Sequence, residues 1–263
     1  GGRATVEWTV GQLPIVNTID IGFDEGERSV EVDAITTLTI DVTSAGALTP
    51  TTYADVDGFL TDNTITGSTE DLAYSPTGAI VMGVPGHLVE ISETDTLRTR
   101  LVTTTGVALK RPLGLAYDQD GALWIADGDA DALLALEDGV VREVVRADGD
   151  EPFESPNDVA VGPDGRVYLS DTCTGKVYAI DPETGAVLDR ISFDFVTEGG
   201  PNGLVVSDDN ELWITTENTV LFCGDSGVDI TAPVAGLFRV PLTATGFGAR
   251  TTVAAGVGVF GDG

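Results

Sequence analysis

The 263 residues are 42% hydrophobic, include 33 glycines, and carry 43 acidic against 13 basic side chains for a net charge of -30. That charge repels nucleic acid and anionic membrane at ordinary salt, so polyanionic partners are excluded. No apolar run approaches the ~20 residues needed to cross a bilayer, so no membrane-spanning segment is expected. Most of the carboxylates read as a solvated acidic surface, with only a few available as cation ligands.

Residues 1–66 read as an N-terminal β segment, with strand-like stretches such as VEVDAITTLTIDV from Val30 that either close a ring or form a separate element. A repeat follows. Four segments align without gaps: EDLAYSPTGAIVMG from Glu70, LGLAYDQDGALWIAD from Leu113, NDVAVGPDGRVYLSD from Asn157 and NGLVVSDDNELWITT from Asn202. Their starts lie 43, 44 and 45 residues apart. Within each unit a short alternating strand (159–161) enters a Gly, Asp or Asn turn (163–165), and a second strand (166–170) returns antiparallel to it. Third strands read HLVEIS from His87, ALLALE from Ala132, KVYAID from Lys176 and GLFRVPL from Gly236. Fourth strands read TLRTRLV from Thr96, VVREVV from Val140, AVLDRISF from Ala186 and RTTVAA from Arg250.

Four strands in a unit of about 44 residues describe a propeller blade. Period-two alternation, few helical stretches and abundant glycine argue against an α-solenoid, and the absence of LxxLxL spacing argues against a leucine-rich horseshoe. Tyr74, Tyr117, Trp124, Tyr168 and Trp213 recur at matched positions and read as packing between blades rather than as a cofactor box. A fifth unit opens at Asp262. The expectation is therefore an all-β propeller of four-stranded blades over 67–263, incomplete in this chain and broken off at the start of its fifth repeat.

The first column of the repeat holds Glu70, Leu113, Asn157, Asn202 and Asp262. Equivalent positions in successive blades lie at one height, and the loop entering the innermost strand opens on the central channel, so four oxygen-bearing side chains converge. Two carboxylates and two carboxamides supply hard donors with a formal charge that balances a divalent cation. Calcium, with its loose shell of oxygens, suits that set, whereas magnesium dehydrates reluctantly and seldom uses an all-protein cage. Zinc or copper would want imidazole or thiolate, and one His and two Cys stand in no ligand pattern. Taken singly, Asn157 and Asn202 could equally cap turns after Pro156 and Pro201; the shared register is what favours a metal.

SPNDVAVGPDGRVYLSD around Asn157 and GGPNGLVVSDDNELWIT around Asn202 resemble the paired PND and PNG motifs of the gluconolactonase and senescence-marker-protein family, to which diisopropyl fluorophosphatase and the serum paraoxonases are related. The resemblance implies a six-bladed propeller with a channel calcium and hydrolysis of a small-molecule lactone or ester. By position, Glu70 resembles the acidic ligand of the first blade, Asn157 and Asn202 the amide ligands, and Asp262 the acidic ligand of the fifth. Asp262 is also implied as general base or nucleophile, and Asp158 as support beside a ligand. Asp71 and Leu72 stand where the family usually has Gly-Pro. His87, the sole histidine, falls at the start of a third strand, away from the channel, and is not expected to be catalytic.

Cys173 and Cys223 each follow the second strand of neighbouring units. They are either two unrelated thiols or, as the register favours, a bridge at the ligand-bearing rim, which suits a monomeric periplasmic or secreted protein. Within the hydrolase reading, phosphotriester cleavage is the alternative to lactone opening. Outside it, PLGLAYDQDGALWIAD from Pro112 resembles NHL-type repeats and strictosidine-synthase-like propellers, which need no such calcium.

Overall fold

The computed structural model describes residues 2–8, 17–21, 28–32, 38–44, 56–67, 69–93, 97–218, 223 and 235–256. The chain divides into two compact units, Gly1–Tyr53 and Ala54–Gly263. In the first, β1 (Gly2–Trp8) pairs antiparallel with β4 (Leu38–Ser44), and β2 (Asn17–Ile21) with β3 (Arg28–Val32). The second opens with a short helix, α1 (Val56–Asp62), and continues as four blades.

Blade one is β5 (Leu72–Tyr74), β6 (Ile80–Val84), β7 (His87–Glu93) and β8 (Leu97–Leu101). Blade two is β10 (Pro112–Tyr117), β11 (Leu123–Asp127), β12 (Ala132–Glu137) and β13 (Val140–Val145), with β9 (Thr105–Gly106) added in parallel at its outer edge. A small hairpin of β14 (Ala147–Asp148) and β15 (Glu151–Pro152) precedes blade three, which is β16 (Pro156–Val161), β17 (Val167–Asp171), β18 (Lys176–Ile180) and β19 (Val187–Ser192). Blade four is β20 (Gly200–Val206), β21 (Glu211–Glu217), β22 (Gly236–Thr243) and β24 (Thr251–Ala255), with β23 (Gly246–Phe247) also paired to β22. The all-β propeller expected from the repeat is thus present as four blades among the described residues.

The first turn is built alike in all four blades. Gly78, Gly121, Gly165 and Asn210 sit at φ of 84°, 90°, 81° and 61°, the left-handed region that glycine enters freely and asparagine tolerates. Each donates its N–H three residues back, to Ser75, Asp118, Gly162 and Ser207, and the hairpin closes one residue further on.

Alternation along the strands sends one face of each blade into its neighbour. Ala73, Val81 and Leu88 of blade one meet Leu115, Ile125 and Leu134 of blade two. Trp124 and Leu133 pack against Val167, Leu169 and Tyr178, and Tyr168 and Val177 against Leu212, Ile214 and Phe238. Each fully buried large apolar side chain contributes about 1.5–3 kcal/mol relative to exposure. On the other face of blade one, Met82, Val84, Val89 and Ile91 are covered by Leu60, Val56 and Phe59 of α1.

The aromatic column follows the same alternation. Trp124 and Tyr168 are buried between blades, as expected. Tyr74 departs from the expectation: it is 68% exposed, because Ala73 takes the face of β5 that meets blade two and Tyr74 points the opposite way. Trp213, half-buried, likewise faces away from blade three, which Leu212 and Ile214 contact.

Candidate functional site

The inner strands of blades two to four carry a proline as first or second residue and are bulged just after it. Pro112, Pro156 and Pro201 pair with Asp127, Asp171 and Thr216, and the register then shifts between 112 and 114, 156 and 159, and 201 and 204. Proline is tolerated at a strand's first residue, and a bulge takes the intervening residue out of the ladder and re-aims its side chain. The residues so released are Leu113, Asn157 and Asn202. Together with Glu70 they line one cavity of about 670 Å³ bounded by the inner strands. Asp262 lies outside the described residues.

The two carboxamides are without hydrogen-bond partners among the described residues, although Asn202 is only 8% exposed. They therefore do not cap the turns after Pro156 and Pro201. Their main chain, by contrast, is held by side chains of blade three, Asn157's own blade and the neighbour of Asn202's. The buried Ser170 hydroxyl donates to the Asn202 carbonyl (2.6 Å) and accepts from the Asp158 N–H (2.9 Å), and Thr172 Oγ1 donates to the Pro201 carbonyl (2.7 Å). Asp171, wholly buried, accepts from the N–H groups of Glu154, Ser155 and Thr174 at 2.9, 2.9 and 3.2 Å, which fixes the loop leading to Asn157. Burial raises its carboxyl above the usual range, against those hydrogen bonds. Asp127 holds the equivalent loop of blade two, accepting from the N–H groups of Lys110 and Arg111 at 2.7 Å each.

Asp158 does more than adjoin Asn157. Its Oδ2 accepts from the Leu204 N–H of blade four (2.5 Å) and its Oδ1 from Val159 (2.7 Å). Asp71 repeats the device one pair of blades earlier, with Oδ2 on the Leu115 N–H of blade two (2.8 Å) and Oδ1 on Leu72 (2.6 Å). The second column of the repeat thus alternates Asp71, Gly114, Asp158, Gly203: a carboxylate from one blade buckles the next. Glycine at 114 is required by space, since a Cβ there would lie 2.4 Å from Asp158 Cα and 2.6 Å from its Oδ1. Burial, and then the negative charge of Asp71, push the Asp158 carboxyl up to about 7, while its two backbone hydrogen bonds oppose the shift. Burial also raises Asp71. This column was visible in the aligned sequence, where Asp71 stood only as a departure from a family pattern.

Glu70 is the one described carboxylate among the expected ligands, and it accepts from Arg111 Nη2 at 3.1 Å. Among the described residues no three His, Cys, Asp or Glu side chains are grouped to hold a metal. The side chains that line the cavity include one carboxylate and two unpartnered carboxamides, hard oxygen donors of the kind that calcium takes. His87 is exposed at the hairpin into β7 and does not line the cavity. Cys173 and Cys223 are joined in a disulfide with a Cα separation of 5.2 Å. No helix of the described residues is long and apolar enough to cross a membrane.

This is a β-propeller whose inner strands carry polar side chains into a channel. The SMP-30/gluconolactonase/LRE-like family model matches residues 75–222, more than half of the chain, and the chain belongs to that family. The match includes Asn157 and Asn202 and stops short of Glu70 and Asp262. Among curated proteins, strictosidine synthase-like 6 of Arabidopsis thaliana is 32% identical over 155 residues, which is 56% of this chain and 38% of the relative, so the chain spans less than two fifths of that relative's length. A solved gluconolactonase from Xanthomonas campestris shares the fold with a TM-score of 0.54 at 17% identity, covering 70% of this chain and 61% of that one. Virginiamycin B lyase from Staphylococcus aureus, at 13% identity, superposes with a TM-score of 0.50 over 96% of this chain and 74% of its own.

Proposed function

We propose that the chain forms part of a calcium-dependent hydrolase that opens lactones or related esters in the channel of a six-bladed propeller. One observation carries the reading: Asn157 and Asn202, from different blades, bring unpartnered carboxamides into the same cavity as Glu70. Both amides are left free to take a ligand in that cavity, and oxygen donors from two blades in one cavity suit a shared hard cation. Membership of the gluconolactonase-like family supports lactones as the substrate class.

Bound there, calcium would polarise a carbonyl oxygen and orient a water. The chain's own part is to hold the donors. Asn157 and Asn202 present amide oxygens, Glu70 adds charge, and Asp158 keeps blades three and four in register beneath them. Asp262 is proposed as the base that takes the proton from the attacking water, which predicts that Asp262→Asn abolishes turnover while calcium still binds weakly. The disulfide supports an oxidising compartment, periplasmic or extracellular, and a monomer is proposed.

The test is hydrolysis by the full chain across a panel of lactones and phosphotriesters, with calcium and with chelator. Calcium-dependent lactone opening is expected; turnover of the phosphotriesters alone would change the substrate class. A second reading draws on the 32% match to a strictosidine synthase-like protein: a propeller that needs no channel calcium. It predicts no activity in the panel and tolerance of Asn157→Ala together with Asn202→Ala.

A further inference from the structure

The bulges of the inner strands differ in width, and the difference follows the carboxamides. In blade two Pro112 pairs with Asp127 and Gly114 with Ala126, so Leu113 alone is out of the ladder. In blade three the flanking pairs are Pro156 with Asp171 and Val159 with Leu169, and in blade four Pro201 with Thr216 and Leu204 with Ile214. Two residues there stand opposite one: Asn157 and Asp158 opposite Ser170, Asn202 and Gly203 opposite Thr215. The wider bulge takes the N–H of its second residue out of the ladder.

In both blades a hydroxyl receives that N–H. Ser170 Oγ accepts from Asp158 at 2.9 Å and Thr215 Oγ1 from Gly203 at 3.0 Å, and each hydroxyl also lies by the carbonyl of the same residue, at 3.4 and 3.5 Å. The two hydroxyls occupy one column of the repeat, thirteen residues after its first, where the four units read Gly83, Ala126, Ser170 and Thr215. A hydroxyl therefore stands in the two blades that send a carboxamide into the cavity and in neither of the others. Strand formation does not call for it. Ala126 fills the position in blade two, fully buried, and valine suits a pleated strand as well as threonine does. What an apolar side chain would lack is an acceptor for the bulged N–H. Thr215 also lines the same cavity as Asn202.

We propose that Thr215 and Ser170 are positioning residues, whose hydroxyls fix the two-residue bulges and so set the direction in which Asn202 and Asn157 present their amide oxygens to the cation. The inference rests on the calcium reading and adds to it the groups that preorganise two of the ligands. Thr215 is the residue to test, since Ser170 carries the bond to the Asn202 carbonyl as well. The full chain is compared with Thr215→Val, which keeps the shape and removes the hydroxyl, and with Thr215→Ser, which keeps the hydroxyl. Calcium affinity is measured by calorimetry. In the calcium-free protein, NMR follows hydrogen exchange at the Gly203 N–H and the shift of the Asn202 side-chain amide. Thr215→Val is expected to bind calcium about 3- to 10-fold more weakly, to exchange the Gly203 proton about tenfold faster and to move the Asn202 amide signal. Thr215→Ser should return all three close to the native values. A hydroxyl that only stabilised the strand would alter exchange and melting temperature alone, so an unchanged affinity in Thr215→Val, or an equal loss in Thr215→Ser, overturns the positioning role. If the native chain binds no calcium, the calcium reading has failed and the Asn202 signal decides for the hydroxyl: a signal unmoved in Thr215→Val overturns its part, and one that moves and is restored by Thr215→Ser upholds it.

Discussion

At the scale of single residues, the site depends on small differences in side-chain volume and charge. Gly114 leaves room for Asp158, and Gly114→Ala would drive a methyl into its Cα and carboxylate. Overpacking of this kind costs about 1–3 kcal/mol, read as a lowered midpoint in denaturant. Asp158 makes a pH prediction whose sign follows from its environment. Its folded value of about 7 lies above the ordinary 3.8, so the folded chain binds the proton more tightly than the unfolded chain between those values. Stability of the calcium-free protein therefore falls as pH rises from 3.8 to about 7 and then levels off with respect to this group. Urea titrations in chelator at several pH values should show that slope in the native sequence and a shallower one in Asp158→Asn. An equal slope in both would assign it to other carboxyls.

At the scale of elements, the design is a strand with a proline at or beside its start that bulges and releases one side chain into the channel. In blades two and three the blade's own second strand holds the incoming loop through Asp127 and Asp171, and in blade four the preceding blade ties down the carbonyls through Ser170 and Thr172. Asp171→Ala would leave the N–H groups of Glu154, Ser155 and Thr174 without that acceptor. Destabilisation of about 1–3 kcal/mol is expected from thermal or denaturant unfolding, since these N–H groups are partly open to water and can recover some of the lost bonding. The strands, their turns and the first column were legible in the sequence because they recur: Gly78, Gly121, Gly165 and Asn210 occupy one position and adopt one conformation. The disulfide was legible for the same reason, each cysteine following a second strand. The Ser170 and Thr172 bonds to blade four were not, since a hydroxyl reaching across to the next unit leaves no mark on its own unit's pattern. Tyr74 was misread because its column position says where a strand runs and not which neighbour covers each face. Helix α1 gave no repeat to read, and its packing on Met82 and Val89 appears only in three dimensions.

At the scale of the whole molecule, blades contact their neighbours alone, so ties between adjacent blades matter disproportionately. The Cys173–Cys223 bond spans 50 residues of sequence, and the loop-entropy relation puts its contribution near 4 kcal/mol. Reduction should lower the melting temperature accordingly, and an unchanged melt would mean that the bond adds nothing to the stability of the folded chain. The most direct test of the proposed shared metal centre is a calorimetric titration of calcium into the full chain and into Asn157→Ala and Asn202→Ala separately. The predicted result is one saturable site in the native protein, weakened at least tenfold by either change although the two residues belong to different blades. Calcium binding indifferent to both substitutions, or no binding to the native chain, would contradict it.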